Sequence, residues 1–154
     1  MVIQRALKVK LNPTEEQKVF MNKNLGASRF LYNHMLAERI NIYNEFKDDK
    51  ETLNNHKYKT EKSYKNEFGF LKEVDSTSLQ QTRIDLDTAY KNFYRSLKNK
   101  GIKVGFPKFK SKKQHKDSYR SSMGLKVDLQ KHQIQMIKMP NKTINYFHHT
   151  KPKK

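Results

Sequence analysis

Cysteine and tryptophan are absent from the 154 residues. Without thiols, neither a disulfide framework nor a thiolate zinc site can form, which fits a reducing compartment. Glycine is scarce, and its five copies never fall into the phosphate-cradling pattern G-x-x-x-x-G-K. No apolar run approaches the roughly 18 residues of a membrane span, and the N-terminal MVIQRALKVKL is not apolar enough for a signal peptide. A cytoplasmic protein that does not span a membrane is expected. Acid is also short, with 15 Asp and Glu against 33 Lys and Arg, a formal net charge of +18.

Chemistry-bearing clusters are missing as well. His34, His56, His115 and His132 are scattered, and the adjacent pair His148-His149 has no acid after it to complete a ligand set. Asp85 and Asp87 lie two apart and face different sides of a helix, which makes a paired-carboxylate metal site a poor reading. Ser76, Ser78, Ser121 and Ser122 have no placed His or Asp partner. No catalytic residue, metal or cofactor is expected.

The excess positive charge is unevenly placed. Residues 1–90 hold 15 Lys and Arg against 13 Asp and Glu, whereas residues 91–154 hold 18 against 2. Such asymmetry predicts a near-neutral folding part followed by a basic arm. The stretch 100–120, KGIKVGFPKFKSKKQHKDSYR, concentrates it: Lys100, Lys103, Lys108, Lys110, Lys112, Lys113, Lys116 and Arg120 face the single acid Asp117. Phe106, Phe109 and Tyr119 sit among those cations, and Gly101, Gly105 and Pro107 break any helix. Cations that neutralise phosphates, beside rings that stack on bases, suit a nucleic-acid surface.

The rest of the chain predicts helices between short strands. Residues 2–11 alternate as a half-buried strand, stopped by Asn12 and Pro13. Thr14 and Gln17 have the spacing of a capping box that opens a helix to about Phe46, with Gly26 placed to bend or divide it. A turn at Gly26 would give a helix-turn-helix. Residues 48–58 are polar and predict a loop, followed by a short helix over about 59–70. Asp75 or Ser76 caps a helix to about Lys98, on which Leu79, Leu86 and Phe93 recur every seven residues, with Tyr90 and Leu97 beside them. Residues 123–129 and 133–139 alternate and predict a hairpin, while 140–154 show no pattern and are expected to be disordered.

In this order the motifs PTEEQ (13–17), GASRFLYNHML (26–36), FLKEVDSTSLQQTRIDLDTAYKNFYRSLK (70–98) and VGFPKFKSKKQHKDSYR (104–120) closely resemble the start of the TnpB/OrfB proteins. These are transposon-encoded RNA-guided endonucleases, long described as OrfB-type transposases with an N-terminal helix-turn-helix region. The resemblance spans about residues 1–139. It implies an α+β fold, with a helical recognition domain inserted into a small, incomplete β-barrel. The strand 1–12 would open the barrel, 13–99 form the helical insert, 100–139 carry the basic stretch and returning strands, and 140–154 a divergent tail.

The resemblance further implies that the two parts grip guide RNA and target DNA through their backbones, with sequence delegated to base pairing. The expected nucleic-acid contacts are Lys103, Phe106, Lys108, Phe109, Lys110, Lys112, Lys113, Lys116, Tyr119 and Arg120. Packing competes with stacking as the role of each Phe, and Tyr32 and Asn33 are expected to pack. The metal-binding carboxylates and four-cysteine ribbon of the family are not found in this chain. A truncated, binding-only protein without nuclease activity is therefore expected, with RNA or DNA as partner. The product of a decayed gene is the competing reading, and a basic protein on anionic membranes ranks last.

Overall fold

The computed structural model describes residues 8–98, 104–114 and 118–147. It has an α+β fold, and the chain divides into two compact units. One comprises residues 1–22 and 123–154, and the other runs continuously over 23–122.

The first unit holds an open antiparallel sheet of four short strands in the order β1-β4-β3-β2. They are β1 (Lys10–Asn12), β2 (Lys126–Asp128), β3 (Gln133–Gln135) and β4 (Thr143–Phe147). The expected hairpin is present but shorter than its alternation, pairing Val127 with Ile134. Asp128 makes its turn by accepting the Gln130 and Lys131 amides at 3.0 and 2.9 Å. Gly124, entering β2, has φ +69°, and a Cβ there would lie 2.5 Å from Cγ1 of Ile137, so no side chain fits.

The expectation of a disordered end fails at β4. Residues 143–147 lie in the interior of the sheet, with Ile144 opposite Ile134 and Tyr146 opposite Leu11. Ile144 and Tyr146 are buried, whereas Asn145 and Phe147 are exposed. That period of two is present in TINYF, but it is too short to stand out beside the basic residues around it. Residues 148–154, His148 and His149 included, fall outside the described residues.

The capping box is as the sequence predicts. Gln17 N donates to Thr14 Oγ1 at 3.3 Å, and Thr14 N donates to Gln17 Oε1 at 3.0 Å. The Gln17 side chain also donates to the Pro140 and Thr143 carbonyls at 3.1 and 2.7 Å, so one buried amide both starts α1 and ties down the entry to β4. α1 (Glu15–Phe46) runs 32 residues without interruption. Gly26 does not divide it. A helical glycine costs only about 1 kcal/mol relative to alanine, and Ala27, Leu31, Tyr32, Met35 and Leu36 beyond it are all buried.

The second unit packs α1 against α3 (Glu61–Glu67), a 3-10 turn at Gly69–Lys72, and α4 (Ser76–Lys98). Part of the predicted 48–58 loop is instead a short helix, α2 (Lys50–Asn55), which Asp49 caps by accepting the Thr52 amide at 3.0 Å. Asp75 caps α4 through Thr77 N at 2.8 Å, and its own amide donates to the buried Asn24 of α1 at 3.0 Å. Leu31, Leu36, Leu71, Leu79 and Leu86 are wholly enclosed and make the centre of this core. Leu97, on the same stripe of α4, is 66% exposed.

Candidate nucleic-acid interface

The basic segment is held onto the helical unit at three places. At its start, Phe106 lays its ring edge-on to Tyr90 and Phe93 of α4, with centroids 5.5 and 5.3 Å apart, and Pro107 is buried. Ser96 Oγ lies 3.1 Å from the Val104 carbonyl and 2.7 Å from that of Phe93. These are packing contacts, favouring the structural role for Phe106, although 43% of it stays exposed.

At the middle, Asn33 of α1 grips the backbone of Lys110 with both ends of its amide. Nδ2 donates to the Lys110 carbonyl at 3.0 Å, and the Lys110 N–H donates to Oδ1 at 2.8 Å. The neighbouring Tyr32, buried, receives the Lys110 ammonium 4.2 Å from its ring centre. Two motifs 77 residues apart, RFLYN and GFPKFK, thus meet as clamp and clamped segment. Sequence reasoning expected packing from Tyr32 and Asn33, but nothing local could reveal what they hold.

At its far end, Arg120 pairs with Asp85 of α4. Ser121 Oγ lies 3.1 Å from Thr77 Oγ1, over the first turn of α4. The Tyr119 hydroxyl is buried without a hydrogen-bond partner among the described residues. Burial, then the nearby Asp75 carboxylate, raises its pKa above the usual phenol value, so it stays protonated at neutral pH. Arg120 therefore spends its guanidinium on the fold, and Tyr119 is held there by burial of its ring and hydroxyl.

What remains outward is Lys108, Phe109, Lys112 and Lys113. All four are exposed, Phe109 by 54%, and the three lysines make no ion pair among the described residues. Lys103 and Lys116 lie outside the described residues. The remaining carboxylates of α4 are also committed: Asp87 pairs with Arg39 and lies 3.7 Å from Arg83. Among the described residues, no three or more His, Asp or Glu gather to hold a metal ion, and no helix is long and apolar enough to cross a membrane.

Replacing Asn33 with Ala hands the Lys110 N–H and carbonyl to water while leaving every charge in place. Two such bonds at about 1 kcal/mol each predict roughly thirtyfold more local opening. Limited trypsin digestion should show it as faster cleavage after Lys108, Lys110, Lys112 and Lys113. An unchanged digestion rate would mean that the segment is held by other contacts.

Comparison with known proteins gives the following. Residues 1–48 match the helix-turn-helix domain family of the OrfB type. Over 141 residues the chain is 33% identical to InsQ of Escherichia coli K12, a protein named as an RNA-guided DNA endonuclease; the match covers 88% of this chain and 32% of InsQ. It is 36% identical over 115 residues to the virulence protein VsdF of Salmonella dublin, covering 70% of this chain and 93% of VsdF. A protein of Streptomyces pristinaespiralis, also named as an RNA-guided DNA endonuclease, is 29% identical over 116 residues, 75% of this chain and 27% of that protein. The chain thus spans about a third or less of the two endonuclease-named relatives.

Proposed function

We propose that this chain, which belongs to the TnpB/OrfB family and corresponds to its N-terminal region, binds nucleic acid through the clamped segment 104–114. The observation that carries this reading is the Asn33 clamp. It fixes the backbone at Lys110, so Lys108, Lys112 and Lys113 project from a tethered segment, with no acid paired to them among the described residues. Fixed cations lose less freedom on meeting phosphates than cations on a loose tail would. Phe109 stands among them as an exposed ring able to stack.

The partner is RNA, DNA or both: the longer relatives are named as RNA-guided DNA endonucleases, and guide RNA and transposon DNA are the proposed candidates. The role assigned to the chain is binding, without a cutting step of its own. Lys103, Lys108, Lys110, Lys112, Lys113 and Lys116 are the proposed phosphate contacts, with Phe109 beside them. Phe106, Tyr119 and Arg120 take the supporting part of holding the segment in place.

The test is fluorescence-anisotropy binding of the whole chain to structured RNA and to duplex DNA across a salt series. Each neutralised phosphate contributes a log–log slope of about −0.9 on duplex DNA and about −0.7 on single strands. The three unpaired lysines alone predict about −3 on the duplex, and all six cations about −5. No binding at low salt, or a slope shallower than about −2, would overturn the reading.

A further inference from the structure

The helical unit also contains a groove that the basic segment does not fill. It has a volume of about 840 Å³ and lies between α1, α2 and α4. Tyr43, Tyr58, Tyr90, Phe93, Tyr94 and Phe106 supply its rings. Tyr43 and Tyr94 are 55% and 53% exposed, unusual for aromatics that serve only a core. Phe106 belongs both to this wall and to the basic segment, so the groove and the cationic segment are continuous surfaces.

The electrostatics of the groove favour a neutral, flat ligand attached to an anion. Among the described residues no acid lines it, and the polar side chains there besides the tyrosine hydroxyls are Arg39, Asn44 and Asn54. Arg39 is spent at the floor, paired with Asp87 and with its guanidinium 5.3 and 5.1 Å from the centres of Tyr58 and Tyr90. The neighbouring Glu38 is occupied by the Tyr64 hydroxyl and the Lys59 amide, at 3.0 and 3.2 Å. Burial raises the pKa of the Tyr90 hydroxyl to about 12, so Tyr90 adds no negative charge to the wall.

The rim is unequal. Around α2 the acids Asp48, Asp49 and Glu51 are balanced by Lys47, Lys50 and Lys57, whereas the last turns of α4 carry Lys91, Arg95 and Lys98 with no acid among them, and Lys108 follows Phe106. An anionic backbone would therefore run along the α4 side, with its flat group turned inward.

We infer that this groove takes an unpaired nucleobase from a single-stranded stretch of the nucleic acid bound by segment 104–114. The base stacks on Tyr94 and Tyr43, the Asn44 and Asn54 amides are placed to meet its edge, and the phosphates follow Lys98 towards Lys108. A paired base, held within its own stack, has no access to such a groove. The inference rests on the nucleic-acid reading above and adds to it a preference for nucleic acid with unpaired bases.

The experiment uses the whole chain and two probes: an RNA hairpin with 2-aminopurine in its loop, and a blunt RNA duplex with every base paired. The unmodified protein should quench the loop fluorophore on binding. The double variant Tyr43→Ala/Tyr94→Ala should lose the quench and about tenfold in hairpin affinity, the scale of base–aromatic stacking, with duplex affinity unchanged. Tyr94→Phe, which keeps the ring, should retain both. Binding with no quench, or a double variant that changes affinity for both probes equally or for neither, would overturn the base site. Failure of the unmodified protein to bind either probe at low salt would instead overturn the nucleic-acid reading itself.

Discussion

The variant Lys108→Ala/Lys110→Ala/Lys112→Ala/Lys113→Ala should lose about three orders of magnitude in affinity for duplex DNA near ~0.1 M salt, because four phosphate contacts each contribute about 0.9 to the salt exponent. Its log–log slope should flatten by the same four contacts. The fold should survive. Lys108, Lys112 and Lys113 are exposed and break no ion pair among the described residues. The Asn33 clamp holds the backbone of Lys110, which alanine also possesses. Only the contact between the Lys110 ammonium and Tyr32 is lost, at a cost of about 0.5–1 kcal/mol. Circular dichroism and thermal unfolding separate the two effects. A variant that remains folded and binds with unchanged affinity and slope would place the nucleic-acid surface elsewhere on the chain.

The second large effect is on stability. Leu86→Ala should destabilise the helical unit by about 3 kcal/mol, since Leu86 is wholly enclosed and its truncation leaves a cavity among packed neighbours. Leu97→Ala, eleven positions further along the same apolar stripe, should stay within about 0.5 kcal/mol because that side chain is mostly in water. Urea unfolding followed by helical circular dichroism gives both values. Equal costs at the two positions would show that Leu97 is also covered in solution.

These two leucines illustrate what could be read beforehand. Their spacing marks both as apolar positions of one helix, and that much is correct. Nothing in the stripe says that α1 and the 3-10 turn at Gly69–Lys72 cover the first turns of α4 while its last turn is left open. The site divides the same way. The basic stretch stands out in composition, yet its ten candidate residues look alike in sequence. Lys108, Phe109, Lys112 and Lys113 face outward, Lys110 is held by its backbone, and Tyr119 and Arg120 are engaged with the fold. Lys103 and Lys116 lie outside the described residues.

By itself, the sequence determined where α1 and α4 begin, the turn between β2 and β3, and the charge asymmetry. Each of these is set by partners a few residues apart or by composition: Thr14 and Gln17 exchange their bonds across three positions, and Asp75 caps from within its own turn. Tertiary structure decided that α1 runs through Gly26, that 143–147 is an interior strand, and that Asn33 holds Lys110. A single glycine or a five-residue alternation is a weak local preference, and burial by distant chain outweighs it. Which cations stay free, and which rings stay open, depends on neighbours up to 77 residues away, beyond the range of any local pattern.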